Sequence, residues 1–350
     1  MNYKNILIIK MSSLGDVIHT LPFAAALRDC YPQSRISWLV HPQFSAFVPD
    51  PPLIDEVLYF DKAAFNKMNW RDKWRTYRTL RQTLQPRHFD LVIDLQGLFK
   101  SAVMALLTGC SQRIGYCEMR EGSGLVSCPI LGSHRNDHVI ERYLDVARYL
   151  GAKVDTIRYP MPSLQKERER VHKRLIAAGM PEGEHLPYAV FVPGARWDTK
   201  RWPVEYFARL AMLLIQDGYY VVLAGGAGDK PLGEKIRTAV KNHPQMIDFI
   251  GQTSLRELGA LIKDCQFYVS GDTGPLHIAT ALQKRTVSIY GPTRPDRTGP
   301  YGNPNSVVLV SPVDCAGCLK KQCKHWDCMH AVSPEEVYAI FREKGGEHCD

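Results

Sequence analysis

The sequence predicts an α/β protein made of two Rossmann-like, doubly wound domains that face a central cleft. Three observations support this prediction. A chain of 350 residues is long enough for two domains, short apolar segments alternate with helical patterns, and this alternation restarts after residue 163. The stretch 159–163 contains two prolines and suits a linker. We therefore place an N-terminal domain at residues 1–162 and a C-terminal domain at 163–350.

The first half contains four short, apolar and partly β-branched segments that predict buried parallel strands: 6–10, 36–40, 56–60 and 91–95. A helical pattern with Leu14, Val17 and Leu21 on one face follows the first strand. Pro22 falls inside this pattern, and it predicts either a kink or a second helix start.

The second half repeats the scheme with five predicted strands: 189–192, 220–224, 247–250, 267–270 and 286–290. The first of its helices is predicted between Pro203, which suits a first turn, and Gly218, which suits a helix end. Capping boxes at Ser254 and Ser333 predict two more helix starts. The last helix is expected either to pack on its own domain or to pack back on the N-terminal domain.

The net charge of +8 favours an anionic partner such as a phosphate, an acidic sugar or a membrane headgroup. Basic residues and tryptophans are concentrated at residues 61–87, which predicts either a solvated helix face or a docking surface for an acidic acceptor or an anionic bilayer. No apolar run approaches the ~18 residues that cross a bilayer, and no amphipathic anchor stands out. We expect a cytoplasmic protein.

The segment after the first strand places serines, a glycine and a carboxylate at a predicted helix start. Ser12 and Ser13 can cap the helix, and Gly15 lets a ligand approach the backbone. Asp16 falls in the first turn, where it either complements the helix dipole or acts as a general base. The segment lacks G-x-G-x-x-G, which disfavours dinucleotide binding.

Three strand ends of the second half predict a site for a phosphorylated, hydroxyl-bearing ligand such as a nucleotide sugar. Lys200, with Arg196 in support, could neutralise a diphosphate, or both could belong to an exposed basic loop. Asp229 follows a glycine-rich turn and could accept from a ribose hydroxyl. The third set combines polar groups with the free amides of a helix start, and it comprises Asp272, Thr273, Gly274 and His277.

Candidate acceptor-binding residues lie in the first half. Each could equally be an ordinary polar surface residue. The set comprises Ser13, Gln96, Lys100, Arg120, Lys62 and Arg71.

Four cysteines fall within fourteen residues, at Cys315, Cys318, Cys323 and Cys328. Four thiols could bind zinc tetrahedrally, but their spacing matches no standard zinc module, so a reduced, packed turn is favoured.

Taken together, these motifs resemble the lipopolysaccharide heptosyltransferases, which use ADP-heptose. The motifs that support the resemblance are 10–17, 94–98, 200–203, 270–277 and the late cysteine segment. Some relatives have two threonines where Ala195 and Arg196 stand here.

The resemblance implies a GT-B fold and an inverting transferase that needs neither metal nor cofactor. It also implies that residues 1–162 form the acceptor-binding domain and residues 163–350 the nucleotide-sugar donor domain. Asp16 would be the catalytic base and Lys200 the diphosphate ligand, and residues 272–274 with His277 would bind the nucleotide sugar. Arg120 and the basic segment 62–81 would face a Kdo–lipid A acceptor at the inner face of the inner membrane. The alternatives are a nucleotide-sugar epimerase of the same architecture, a transferase that uses another nucleotide sugar, and a zinc-dependent nucleic-acid-binding protein. We expect no nucleic-acid partner.

Overall fold

The computed structural model describes residues 3–183 and 187–343. The chain forms two compact units, Met1–Ser163 and Leu164–Asp350. Each unit contains one six-stranded sheet, and every paired strand runs parallel to its neighbour. The predicted α/β class with two doubly wound units is therefore confirmed.

The first unit has strand order β3-β2-β1-β4-β5-β6, so its chain reverses direction across the sheet between β1 and β4. Its strands are β1 Asn5–Ile9, β2 Arg35–Val40, β3 Glu56–Tyr59, β4 Leu91–Asp94, β5 Arg113–Gly115 and β6 Cys128–Pro129. Its helices are α1 Leu14–His19, α2 Leu21–Cys30, α3 Lys62–Lys67, α4 Trp70–Leu84, α5 Phe99–Leu107 and α6 Val139–Tyr149.

The second unit has the same plan, with order β9-β8-β7-β10-β11-β12 and its switch between β7 and β10. Its strands are β7 Tyr188–Val192, β8 Tyr220–Leu223, β9 Met246–Asp248, β10 Phe267–Gly271, β11 Thr286–Tyr290 and β12 Ser306–Val310. Its helices are α7 Gln165–Ala177, α8 Val204–Gln216, α9 Lys230–Ala239, α10 Leu255–Asp264, α11 Gly274–Ala281, α12 Pro295–Thr298, α13 Asp327–His330 and α14 Pro334–Glu343.

All nine predicted strands are present, and three others were not predicted. The unpredicted strands β5 and β6 contain three and two residues, and β12 is a partly exposed edge strand. The predicted strand 247–250 ends earlier, at Asp248, because the carboxylate of Asp248 accepts a hydrogen bond from the Ile250 amide and turns the chain.

Helix boundaries agree with the capping signals. Pro22 stands in the first turn of α2, so it marks a second start rather than a kink. The Ser254 box closes with reciprocal bonds to Glu257, and the Ser333 box closes in the same way with Glu336.

The last helix, α14, packs on α8 of its own unit. The Phe341 ring lies 4.9 Å from Tyr219 and 5.2 Å from Phe267, centroid to centroid. Within residues 3–183 and 187–343, no helix is long and apolar enough to cross a bilayer.

Candidate functional site

The switch point of the first unit presents the carboxylate of Asp16. Ser13 is the N-cap of α1, and one Asp16 oxygen accepts from both the Ser13 amide (2.6 Å) and the Ser13 hydroxyl (2.9 Å). These bonds fix the carboxylate at the positive end of the helix. The side chain remains 39% exposed, so a ligand hydroxyl can reach it.

A buried lysine lies behind this carboxylate. Lys10 directly follows β1, and its amine donates to the Leu95 carbonyl (2.8 Å) and contacts the Tyr143 hydroxyl (2.5 Å). It stands 3.8 Å from Asp16. Burial lowers the pKa of Lys10, and the negative charges of Asp16 and Asp94 oppose that shift. Lys10 is not among the predicted site residues, although a lysine directly after a buried strand is a usable signal.

Gln96 holds the loop that carries this site. Its side-chain oxygen accepts from the amides of Met11 and Ser12, both at 3.0 Å. Asp94 in turn accepts from the amides of Gln96 and Gly97, and burial raises the pKa of Asp94. The loops after β1 and β4 are therefore bonded to each other at the switch point.

Three of the predicted acceptor residues line one cavity of about 260 Å³ in the first unit: Lys62, Gln96 and Lys100. Its other lining residues are Met11, Ser12, Leu98 and Glu121. Burial, followed by the charges of Lys62 and Lys73, lowers the pKa of Lys100. Lys73 thus adds a third amine that was not among the predicted site residues.

The remaining predicted acceptor residues lie elsewhere in the first unit. Ser13 is engaged with Asp16. Arg120 is exposed, and its charge contributes to lowering the pKa of Lys10, so it belongs near the Asp16 cluster. Arg71 lies on the exposed side of α4 and does not line the cavity.

The switch point of the second unit presents a lysine with a carboxylate partner. The Lys200 amine lies 2.6 Å from Asp272 and 4.5 Å from the centre of the Trp197 ring. Both charged side chains are partly shielded, with 16% exposure for Lys200 and 11% for Asp272. Two of the predicted donor residues therefore contact each other directly.

Gly271 allows this contact. It is the last residue of β10, and a Cβ built there would lie 2.4 Å from the backbone oxygen of Lys200. A side chain would displace the turn that carries the lysine, so the close approach of the two loops requires glycine.

Helix α11 begins beside Asp272. Thr273 is its N-cap in an extended conformation, and Gly274 and Pro275 open the first turn. His277 is buried in the same turn at 6% exposure. The first backbone amides of α11 and the positive end of its dipole therefore lie at the carboxyl end of β10.

Asp229 is held against the end of β7. Its carboxylate accepts from the Gly226 amide at 2.9 Å, and a Cβ at Gly194 would lie 2.2 Å from it. Arg196 is exposed in the loop after β7. Asp229 therefore has a structural bond, and its proposed ribose contact stays a prediction.

The four cysteines differ in burial but lie near one another, since burial and then the charges of the other three raise the pKa of Cys328. Cys315, Cys318 and Cys323 are exposed, whereas Cys328 is buried at 7%. The favoured packed turn is therefore wrong for three of the four residues. Across the two described ranges, no group of three or more histidine, cysteine or acidic side chains is arranged to hold a metal ion.

A larger cavity of about 460 Å³ lies between α7 and α10 and contains none of the predicted site residues. It adjoins Tyr188 and Gln266, at the amino-terminal ends of β7 and β10. Ligands of open parallel sheets bind at the carboxyl ends, so we give this cavity no role in the site.

The chain is similar to known proteins in both sequence and fold. The lipopolysaccharide heptosyltransferase 1 of Pseudomonas aeruginosa is 30% identical over 328 residues, which span 91% of this chain and 87% of that protein. The structure of Escherichia coli ADP-heptose lps heptosyltransferase II matches with a TM-score of 0.76 at 24% identity, over 98% of this chain and all of that one. Escherichia coli heptosyltransferase WaaC with ADP also matches at 0.76 and 24%, over 97% and 99%.

The strand orders and the match to the Escherichia coli structure show the predicted GT-B fold. The sequence profile of glycosyltransferase family 9 (heptosyltransferase) matches residues 77–328, more than half of the chain. The chain belongs to this family. Family membership decides against the epimerase and the nucleic-acid-binding alternatives.

Proposed function

We propose that this protein transfers heptose from ADP-heptose to the Kdo/heptose inner core of lipopolysaccharide, with inversion at the anomeric carbon and Asp16 as the general base. The reaction takes place in the cytoplasm at the inner face of the inner membrane. The observation that carries the proposal is the Asp16 carboxylate, oriented by Ser13 and backed by the buried amine of Lys10.

Asp16 suits the role of base because it is fixed but still accessible. Two donors from Ser13 hold one of its oxygens, and Lys10 stands 3.8 Å from the other. In the reaction, Asp16 takes the proton of the acceptor hydroxyl while the hydroxyl oxygen bonds to the anomeric carbon. The bond from that carbon to the diphosphate breaks, and ADP leaves with the electron pair. Attack opposite to the leaving group inverts the centre.

The second unit supplies groups suited to the departing diphosphate. Positive charge develops on the sugar and negative charge on the leaving phosphate, as in other glycosyl transfers. Lys200 and the first amides of α11 would stabilise that negative charge, in the role that a divalent cation has in other transferases. The ADP-heptose and ADP in the names of the matching Escherichia coli structures support this choice of donor. Asp229, Thr273 and His277 would bind the rest of the nucleotide sugar.

The first unit supplies groups suited to an acidic acceptor. Lys62, Lys73 and Lys100 concentrate positive charge at the 260 Å³ cavity, and Arg120 lies near Asp16. Phosphate and carboxylate groups of a Kdo–lipid A acceptor are complementary to these cations. The name of the Pseudomonas aeruginosa relative supports the lipopolysaccharide assignment.

The test is transfer by the purified protein from ADP-heptose to defined Kdo–lipid A acceptors, with products identified by mass spectrometry and anomeric configuration by NMR. We expect Asp16→Asn to lower kcat by roughly 10²–10⁴-fold, the usual contribution of a positioned base. Calorimetry should show unchanged donor affinity. Asp29→Asn, an exposed carboxylate of the same unit, is the matched control.

Near-normal transfer by Asp16→Asn would refute the base assignment. A retained anomeric configuration would refute inversion. Transfer from another nucleotide sugar but not from ADP-heptose would refute the donor.

A further inference from the structure

Helix α4 has two faces of different character. Its inner face packs into the core of the first unit through Tyr77, Leu80 and Leu84, next to Phe65. Its outer face is the exposed surface of the helix, and Trp70 and Trp74 stand at the border between this face and the buried one, where they are 74% and 60% exposed. The two indoles lie four residues apart, and therefore on the same side of the helix, one turn from each other.

Arginines surround these indoles. The Arg71 guanidinium stands 5.4 Å from the Trp70 ring centre, and that of Arg78 stands 5.8 Å from Trp74. Arg75 and Arg81 are also exposed. The helix contains a single acidic residue, Asp72, which bonds to Asn69 at the helix start. The outer face therefore combines cations with large amphipathic rings.

This combination is suited to a bilayer surface rather than to water. Scattered apolar residues are normal on a soluble protein, but paired tryptophans among arginines on one helix face are typical of interfacial helices. Indole prefers the headgroup level of a membrane, and arginine can keep its charge among headgroups while its stem covers apolar surface. Anionic lipids add electrostatic attraction.

Helix α4 is also close to the acceptor cavity. The Lys73 and Lys100 amines stand 5.8 Å and 5.7 Å from the centre of the same Phe65 ring, and Lys100 lines the cavity. The helix with the exposed indoles thus contributes an amine beside that cavity. A lipid-anchored acceptor that enters the cavity would have its acyl chains in a membrane, so a bilayer is the partner this surface fits.

We propose that α4 is a membrane-docking helix, which inserts Trp70 and Trp74 into the headgroup region of an anionic bilayer while Arg71, Arg75, Arg78 and Arg81 contact lipid phosphates. The role of this docking in acceptor delivery rests on the proposed function, whereas the docking itself does not. The sequence alone showed basic residues and tryptophans in this segment but no amphipathic anchor. The burial of Tyr77, Leu80 and Leu84 beside the exposed indoles is what defines one.

The first test measures binding of the full chain to vesicles that contain neither donor nor acceptor. We expect at least about tenfold stronger co-sedimentation with phosphatidylcholine–phosphatidylglycerol vesicles than with phosphatidylcholine alone, and weakening by salt. The triple variant Arg75→Gln, Arg78→Gln, Arg81→Gln should weaken binding by about fivefold or more for each charge removed. The control variant Arg170→Gln, Arg209→Gln, Arg342→Gln removes the same charge from exposed sites of the second unit and should bind normally.

The second test locates the inserted rings. Brominated lipids should quench the tryptophan fluorescence of the wild type, and this quenching should be lost in Trp70→Phe/Trp74→Phe, which should still bind. Trp70→Ala/Trp74→Ala should lower vesicle affinity about tenfold or more. Leu125→Ala/Leu131→Ala removes two other exposed apolar side chains of the first unit and should leave affinity unchanged.

Equal binding to neutral and anionic vesicles, absence of quenching, or equal losses in the control variants would overturn the proposal. So would a dimer in sedimentation that Trp70→Ala/Trp74→Ala disrupts, because the face would then bind a second copy. Transfer to a water-soluble, deacylated acceptor separates the two proposals. That activity should survive Trp70→Ala/Trp74→Ala if the proposed function is correct, whatever the vesicles show.

Discussion

The two units share one strand order but present opposite arrangements of charge. In the first, the lysine at the switch point is buried and fixed behind an accessible carboxylate, Asp16. In the second, Lys200 lies on a turn after β7, and its carboxylate partner Asp272 lies in the loop after the neighbouring strand β10. The topology thus sets where a site forms in each unit, and the loops decide which charge it offers.

The two lysines consequently differ in what they can do. Lys10 has a carbonyl, a hydroxyl and a carboxylate around it in a buried setting, which leaves its amine no room to move. Lys200 has one strong partner, Asp272, and a ring face at Trp197, and it keeps some solvent exposure. Under the proposed function, the diphosphate of the donor would compete for Lys200 but not for Lys10.

Among the variants that test this comparison of the two lysines, the largest effect is expected at Lys200. Lys200→Ala should lower kcat by about 10²–10³-fold, because it removes a preorganised charge from the leaving group. Steady-state kinetics with ADP-heptose and donor titration measure the effect, and Lys200→Arg is the charge-preserving control. An unchanged kcat in Lys200→Ala would show that the two lysines do not differ in the way proposed here.

A moderate effect is expected at Gly271. Gly271→Ala places a methyl group 2.4 Å from the Lys200 backbone oxygen, so the turn must shift. We expect the free energy of unfolding to fall by about 1–3 kcal/mol, as for other overpacked positions, together with weaker donor binding. Gly183→Ala is the matched control because a Cβ there meets nothing within 4 Å. Equal stability of the two variants in urea denaturation would contradict this account of the loop contact.

The smallest effect on stability is expected at Lys10. Lys10→Met keeps the stem and removes the charge, and the relief of burying an ammonium offsets part of the cost, roughly 1–3 kcal/mol, of leaving the Leu95 carbonyl without its donor. The free energy of unfolding should therefore change by less than about 1.5 kcal/mol at neutral pH. Transfer should fall about tenfold because Asp16 loses its neighbouring cation. A large loss of stability without loss of transfer would show that Lys10 supports the fold and not the Asp16 carboxylate.

The pH dependence of stability also tests the burial of the Lys10 amine. Burial lowers the pKa of Lys10 in the folded state, so between this lowered pKa and the ordinary lysine value the unfolded chain binds more protons. The contribution of Lys10 to stability therefore rises with pH across that window. Thermal denaturation should show this rise in the wild type and a smaller rise in Lys10→Met.

Local patterns in the sequence were sufficient for most elements and for the two switch-point motifs. Apolar runs located nine strands, and the capping boxes at Ser254 and Ser333 located two helix starts. The unpredicted strands β5 and β6 are too short to show periodicity, and β12 is partly exposed along its length. The hydrogen bonds that Gln96 accepts from the amides of Met11 and Ser12 were also not predicted, because these residues are distant from it in the chain.

The sequence by itself determined the α/β class, the alternation of elements and the residue types at each strand end, because these depend on local periodicity and turn chemistry. Only the tertiary structure decided that Lys10 is buried behind Asp16, that Lys200 pairs with Asp272, and that α4 leaves two tryptophans exposed. Each of these depends on which faces the packing buries and which distant loops the sheet order brings together, and no local pattern encodes that.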